Sequence, residues 1–137
     1  MENSSIIIDN GSGVVKAGFT SEEEPSSIFP SLVGRVKYEG IPGCDSKDEF
    51  IGSDVLPKRG ICNLTNPIEH GIVTDWDDMM KVWEHTFLEL RHDYTKDKAK
   101  VHLTEAPMNP KYNREKMMEI FFENFQVPAF YVSIQAI

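Results

Sequence analysis

The stretch "IIIDNGSGVVKAGF", residues 6–19, decides how the rest of the sequence is read. Three isoleucines run into an acid, two glycines and a serine, and an apolar run then resumes around a single lysine. Asn10-Gly11 is a strong hairpin signal, because both residues tolerate the positive φ that tight turns between strands require. The same residues also fit a phosphate cradle. Glycine frees backbone N–H groups, Ser12 offers a hydroxyl, Lys16 a charge, and Asp9 a carboxylate for a metal's water shell. Either way, strands are predicted at 5–8 and 14–19, with "DNGSG" at the tip. The loop is not a Walker A motif: no Gly-Lys-Ser/Thr opens a helix, and "VVKAGF" is strand-like. A phosphate here would rest on a hairpin tip rather than on a helix dipole. Lys16 stands two residues past Val14 and shares its face, so its stem could reach back to a phosphate oxygen. The plainer reading makes it an exposed hairpin lysine.

A chain of 137 residues is long enough for one domain with a proper core. Its hydrophobic content of 40% suits a soluble globular protein, and no apolar run approaches the ~20 residues of a membrane span. "MENSSIII" has no basic region and too short an apolar segment for a signal peptide, so a cytoplasmic location is expected. The formal charge of −8, from 22 acids and 14 bases, opposes wrapping a phosphate backbone, so nucleic acid is excluded as a direct partner. A small phosphate ligand stays compatible, since a nest of backbone dipoles binds an anion locally. Cys44 and Cys62 fit neither CxxC nor a disulfide framework and are read as reduced thiols. His70, His85, His92 and His102 lack metal-ligand spacing.

Further along, the acid-rich "SEEEPSS" (21–27) reads as a loop, and "IFPSLVGRV" (28–36) as extended chain in which Pro30 argues for an edge position. "KYEGIPGCDSKD" (37–48) has the composition of a mobile surface loop. Residues 33–67 are read as an insertion with its own small fold. In "TDWDDMMKVWEHTFLELR" (74–91), Trp76, Met79, Met80, Trp83, Phe87 and Leu90 follow a 3.6-residue period, which predicts a helix capped by Thr74 or Asp75. "VHLTE" (101–105) alternates like a strand. "NPKYNREKMMEIFFENF" (109–125) predicts a helix with Asn109 as N-cap and Pro110 at its first position. "AFYVSI" (129–134) is strongly β-prone, and strand, helix and strand together predict a βαβ unit with parallel strands. Ligands in open α/β sheets gather at the carboxyl ends of strands. Asp9, Glu105 and Gln135 each follow or close a predicted strand, so all three are expected to project into one crevice. Gln135 cannot be a general base, because an amide takes no proton at neutral pH, but it could orient an attacking water.

"DNGSGVVKAGF", "FPSLVGR", "KRGI", "PIEHGIVTDWDDM", "LTEAPMNPKYNREKM" and "PAFYVSIQA" together closely resemble the actin family, in order and over nearly all of the sequence. The resemblance implies an α/β actin-like ATPase fold of the ribonuclease-H type, of which this chain would be the N-terminal portion. It would have a mixed sheet, flanking helices and a small inserted subdomain. Residues 1–32 and 68–137 would form the first subdomain and 33–67 the second, with the mobile loop at 37–48. By the same match Gly11, Ser12, Gly13, Val14 and Lys16 would contact the phosphates of ATP or ADP. Asp9 would hold Mg²⁺ or Ca²⁺ through water, and Gln135 would position the hydrolytic water. The family's second phosphate loop and most of its adenosine pocket would follow this stretch, so this stretch alone is expected to bind ATP weakly.

The resemblance implies an ATP-binding cytoskeletal protein that hydrolyses ATP slowly and whose nucleotide state controls filament contacts. Other actin subunits and actin-binding proteins would be its partners, without direct contact to nucleic acid or membrane. The alternative is a non-polymerising actin-related subunit of a ciliary, nucleation or chromatin complex. Three departures bear on this. "MENSS" carries one acid where conventional actins have an acidic cluster. Loop 37–48 is one residue shorter and, with Pro42 and Asp45, less apolar. "HDYTKDKAK" is longer and more basic, a candidate partner site.

Overall fold

Alternation fixes the first strand. In the computed structural model, which describes residues 5–11, 13–36, 49–69, 72–107 and 109–134, β1 (Ile6–Asn10) turns Ile6, Ile8 and Asn10 inward, and Ile7 and Asp9 outward. It runs to Asn10, so Asp9 lies within the strand rather than just after it. β2 (Val14–Phe19) and β3 (Ser27–Pro30) follow as antiparallel neighbours, and the run expected to be continuous to residue 36 divides after Pro30. β4 (Val33–Val36), β5 (Glu49–Ile51) and β6 (Cys62–Thr65) make a second sheet in the order β5-β4-β6, with a 3₁₀ helix at Gly52–Lys58. β7 (Ile68–Glu69) and β8 (Ile72–Val73) pair and lead into α1 (Trp76–Glu89). β9 (Val101–Glu105), α2 (Lys111–Glu119), a π-helical turn at Ile120–Asn124 and β10 (Phe130–Ile134) complete the order.

The main sheet is mixed, in the order β10-β9-β1-β2-β3. β9 lies parallel to β1 and β10 parallel to β9, as the predicted βαβ unit requires. β3 is an edge strand, where Pro30 removes no ladder bond that a neighbour needs. One face of this sheet packs on α1 and α2. Ile6, Ile8, Val15, Ala17, Phe29, Val101 and Leu103 meet Met79, Val82, Trp83, Phe87, Met117 and Phe121 there. Phe121 is the hub: its ring stacks on Phe130 at 4.6 Å and lies 4.8 Å from Trp83 and 5.3 Å from Phe125. Buried aromatic pairs of this kind add about 0.5–1.5 kcal/mol beyond area burial. Along α2 and the π-helical turn, Met117, Phe121 and Phe125 face inward, with Met118 and Phe122 exposed.

The small sheet has its own core of Phe50, Val55 and Cys62. Gly52 is required where it meets the main body, because its φ is 65° and a Cβ would lie 2.7 Å from the Phe29 ring. Charge ties the same junction. Arg35 on β4 bonds both carboxylate oxygens of Asp78 on α1 and lies 3.1 Å from Glu49, which takes Lys81 of α1 at 2.7 Å. Asp78 is thus more than a dipole partner in the first turn: its side chain is 2% exposed and satisfied by Arg35.

Asp75 is the α1 cap, its carboxylate accepting from Asp78 N–H at 3.1 Å, while Thr74 donates its hydroxyl to Pro67 O. Asn109 is not the cap of α2. Its amide turns back to Glu105, and Pro110 occupies the cap position without a side-chain bond. α1 closes with Arg91 N–H to Leu88 O and His92 N–H to Phe87 O at 2.9 Å, the bonding of a Schellman end. That end favours glycine at the left-handed position, yet Arg91 stands there with φ 56°. Arg91→Gly should therefore raise stability by about 0.5–1 kcal/mol in urea unfolding. A loss of stability would show that the arginine side chain outweighs its backbone strain.

Candidate functional site

The hairpin tip is built from a buried amide. Asn10 is 3% exposed; its Oδ1 accepts from Trp83 Nε1 at 3.4 Å, and its backbone N–H donates to Thr104 Oγ1 at 3.1 Å. A residue read as a turn position is therefore held in the core at the end of β1. Next to it, Gly11 N–H donates to Val14 O at 3.0 Å, and a Cβ on Gly11 would lie 2.6 Å from that oxygen. Backbone sterics, not φ, fix glycine at this place. The reciprocal bond from Val14 N–H to Gly11 O is not made among the described residues, which leaves this amide at the tip without that partner. Gly13 O accepts from Ser31 N–H at 3.2 Å, tying the loop to the end of β3, and space around Gly13 is open.

Asp9 and Lys16 face each other across β1 and β2, both exposed and on the sheet face away from the helices. No ion pair joins them among the described residues. Thr104 Oγ1 donates to Asp9 Oδ1 at 2.9 Å, and Asp9 Oδ2 has no partner among the described residues. Both residues line a shallow cavity of about 220 Å³ with Ile7, Gly18, Phe19 and the acidic loop at Glu22. One uncommitted carboxylate oxygen suits a cation that keeps its own waters and takes its remaining ligands from phosphate. A lysine across the strand pair, the Val14 amide and the open space around Gly13 suit the phosphates.

A comparison with known families bears on the chain as a whole. The family model for actin matches residues 1–137. The chain belongs to the actin family. Its mixed α/β sheet with flanking helices is an actin-like fold, and within it the predicted site residues can be placed one by one. Gly11, Gly13, Val14, Lys16 and Asp9 come together around the β1–β2 tip. Ser12, Gln135 and the loop 37–48 lie outside the described residues.

Glu105 does not share this crevice. Parallel pairing sets Leu103 beside Ile8, so alternation along β9 turns Thr104 toward the Asp9 face and Glu105 toward the helices. There Glu105, 4% exposed, accepts from Asn109 Nδ2 at 2.9 Å and from Arg114 Nε and Nη2 at 3.1 and 2.5 Å. Sequence reasoning missed Thr104, whose signal was its place one residue before Glu105 in an alternating strand. A larger cavity of about 770 Å³ lies between α1 and the small sheet, lined in part by Ile51, Asp54, His85, Leu88, Arg91 and Tyr94. Within it Lys81 is taken by Glu49 and Asp93 by Thr95.

Burial pushes the Glu105 carboxyl up, but the Arg114 and Asn109 hydrogen bonds outweigh it and hold the group below its ordinary value of 4.5. A depressed carboxylate stabilises the fold above its unfolded pKa and loses that contribution as pH falls through the folded value. Arg114→Ala should destabilise the fold at pH 7, because it strands the buried Glu105 carboxylate without its charged partner. The gap from wild type should narrow once pH drops below about 4.5. Urea melts at pH 7 and pH 3.5 would check this, and an equal gap at both would refute the assignment.

Proposed function

We propose that this chain holds the phosphates of ATP or ADP at the β1–β2 tip, as an actin-like cytoskeletal protein whose nucleotide state adjusts subunit contacts. The observation that carries the reading is the pair of exposed, opposed side chains at Asp9 and Lys16 beside a glycine turn, with Asp9 Oδ2 uncommitted. Amides near Gly11, Gly13 and Val14, the Ser12 hydroxyl and the Lys16 ammonium would neutralise phosphate charge. A divalent cation, Mg²⁺ or Ca²⁺, held by Asp9 through water, would polarise the phosphate oxygens when bound. Gln135 would orient the attacking water by hydrogen bonding, and because an amide takes no proton at neutral pH, hydrolysis would be slow.

Residues 33–67 would be the unit whose position against the main body responds to the nucleotide. The Arg35–Asp78 and Lys81–Glu49 pairs span that junction, so a change of angle would have to strain or break them. Other actin subunits are the natural partners in a cytoplasmic, cytoskeletal setting, and no helix among the described residues is long and apolar enough to cross a membrane. A second reading, a non-polymerising actin-related subunit of a larger assembly, draws on the short, Pro-containing sequence of loop 37–48. Pelleting of the complete protein with ATP and Mg²⁺ separates the two, since permanent solubility would favour the second.

Lys16→Ala should weaken ATP binding in the complete protein by about 10- to 150-fold, the worth of a hydrogen bond to a charged group. Lys81→Ala should leave it unchanged, because Lys81 serves the junction with the small sheet. Calorimetry with Mg²⁺·ATP reads both, and undiminished affinity in Lys16→Ala would remove the phosphate from this hairpin.

A further inference from the structure

We infer that Thr104 is a positioning residue for Asp9, setting which carboxylate oxygen faces a bound cation; this rests on the nucleotide reading above. A threonine hydroxyl has one proton to donate and lone pairs with which to accept. The Asn10 N–H occupies an acceptor position at 3.1 Å, and Asp9 Oδ1 lies 2.9 Å away. Because an ionised carboxylate only accepts, the hydroxyl proton must lie between Thr104 Oγ1 and Asp9 Oδ1. Asp9 Oδ1 is thereby committed to the protein, and Oδ2 is the oxygen left to meet a metal-bound water.

The support behind this bond is stiff. Thr104 is β-branched, which restricts its χ1. It stands on β9, whose parallel register with β1 sets Leu103 beside Ile8, and β9 is flanked by paired strands on both sides. Asn10, which closes the hydroxyl's other side, is itself held by Trp83 from α1. The carboxylate is thus referred through one hydroxyl to both the sheet and the helix layer. Groups that orient metal-binding carboxylates change metal affinity or activity by about 10- to 100-fold when removed.

Thr104→Val keeps the shape and deletes the hydroxyl, whereas Thr104→Ser keeps the hydroxyl and deletes the methyl. In the complete protein, Thr104→Val should raise the Mg²⁺ concentration giving half-maximal ATP hydrolysis by about 10- to 100-fold. ATP binding measured in chelator should move far less, and Thr104→Ser should restore the Mg²⁺ dependence. A purely structural threonine would change melting temperature without separating these two readouts. Wild-type Mg²⁺ dependence in Thr104→Val overturns the assignment. Should that variant not fold, Thr104→Ser decides: a Mg²⁺ requirement raised tenfold or more overturns it, and a wild-type requirement upholds it. Wild-type protein that binds no ATP with or without Mg²⁺ overturns the nucleotide reading itself, and the role of Thr104 with it.

Discussion

The arrangement at the hairpin depends on one buried amide. Asn10 lies at the end of β1 with its side chain under Trp83 and its backbone N–H on Thr104, so the turn that follows begins from a fixed point. A net hydrogen bond contributes only about 0.5–1.5 kcal/mol, but stranding a buried polar group costs about 1–3 kcal/mol. That asymmetry is what makes the position exacting. Any side chain here must be short and inward-facing, and must offer an acceptor to the indole. Glycine at 11 is a second constraint of the same kind, set by the nearness of Val14 O rather than by torsion.

From this fixed point, strand alternation distributes the chemistry between two faces. Asp9, Lys16 and Thr104 share the face away from the helices, whereas Glu105, one residue beyond Thr104, joins the helix layer. The period of two leaves no intermediate choice: a carboxylate at 105 either reaches the crevice or stabilises α2, and it does the latter through Arg114. The strand-end rule is blind to which face a given residue takes.

The helices supply rigidity and the small sheet a second contact region. Phe121 links the helix layer to β10 through Phe130, and the π-helical turn ends with Phe125 N–H on Ile120 O. The charge chain from Asp78 through Arg35 and Glu49 to Lys81 fastens β4 and β5 to α1. Its members are partly exposed apart from Asp78, so this junction is more sensitive to salt than the aromatic core.

By itself the sequence determined the elements whose signals are local. The stripe from Trp76 to Leu90 and the alternation in "VHLTE" follow from spacing along a few residues, and the family follows from ordered motifs. Tertiary structure alone decided the partners: Thr104 with Asp9, Trp83 with Asn10, and Asn109 with Glu105 instead of the helix it was expected to cap. The first two of those pairs lie 95 and 73 residues apart, and they form only once β1 and β9 settle in parallel register under α1. Register is a property of two strands and the layer that covers them, which is why spacing within any one segment does not contain it.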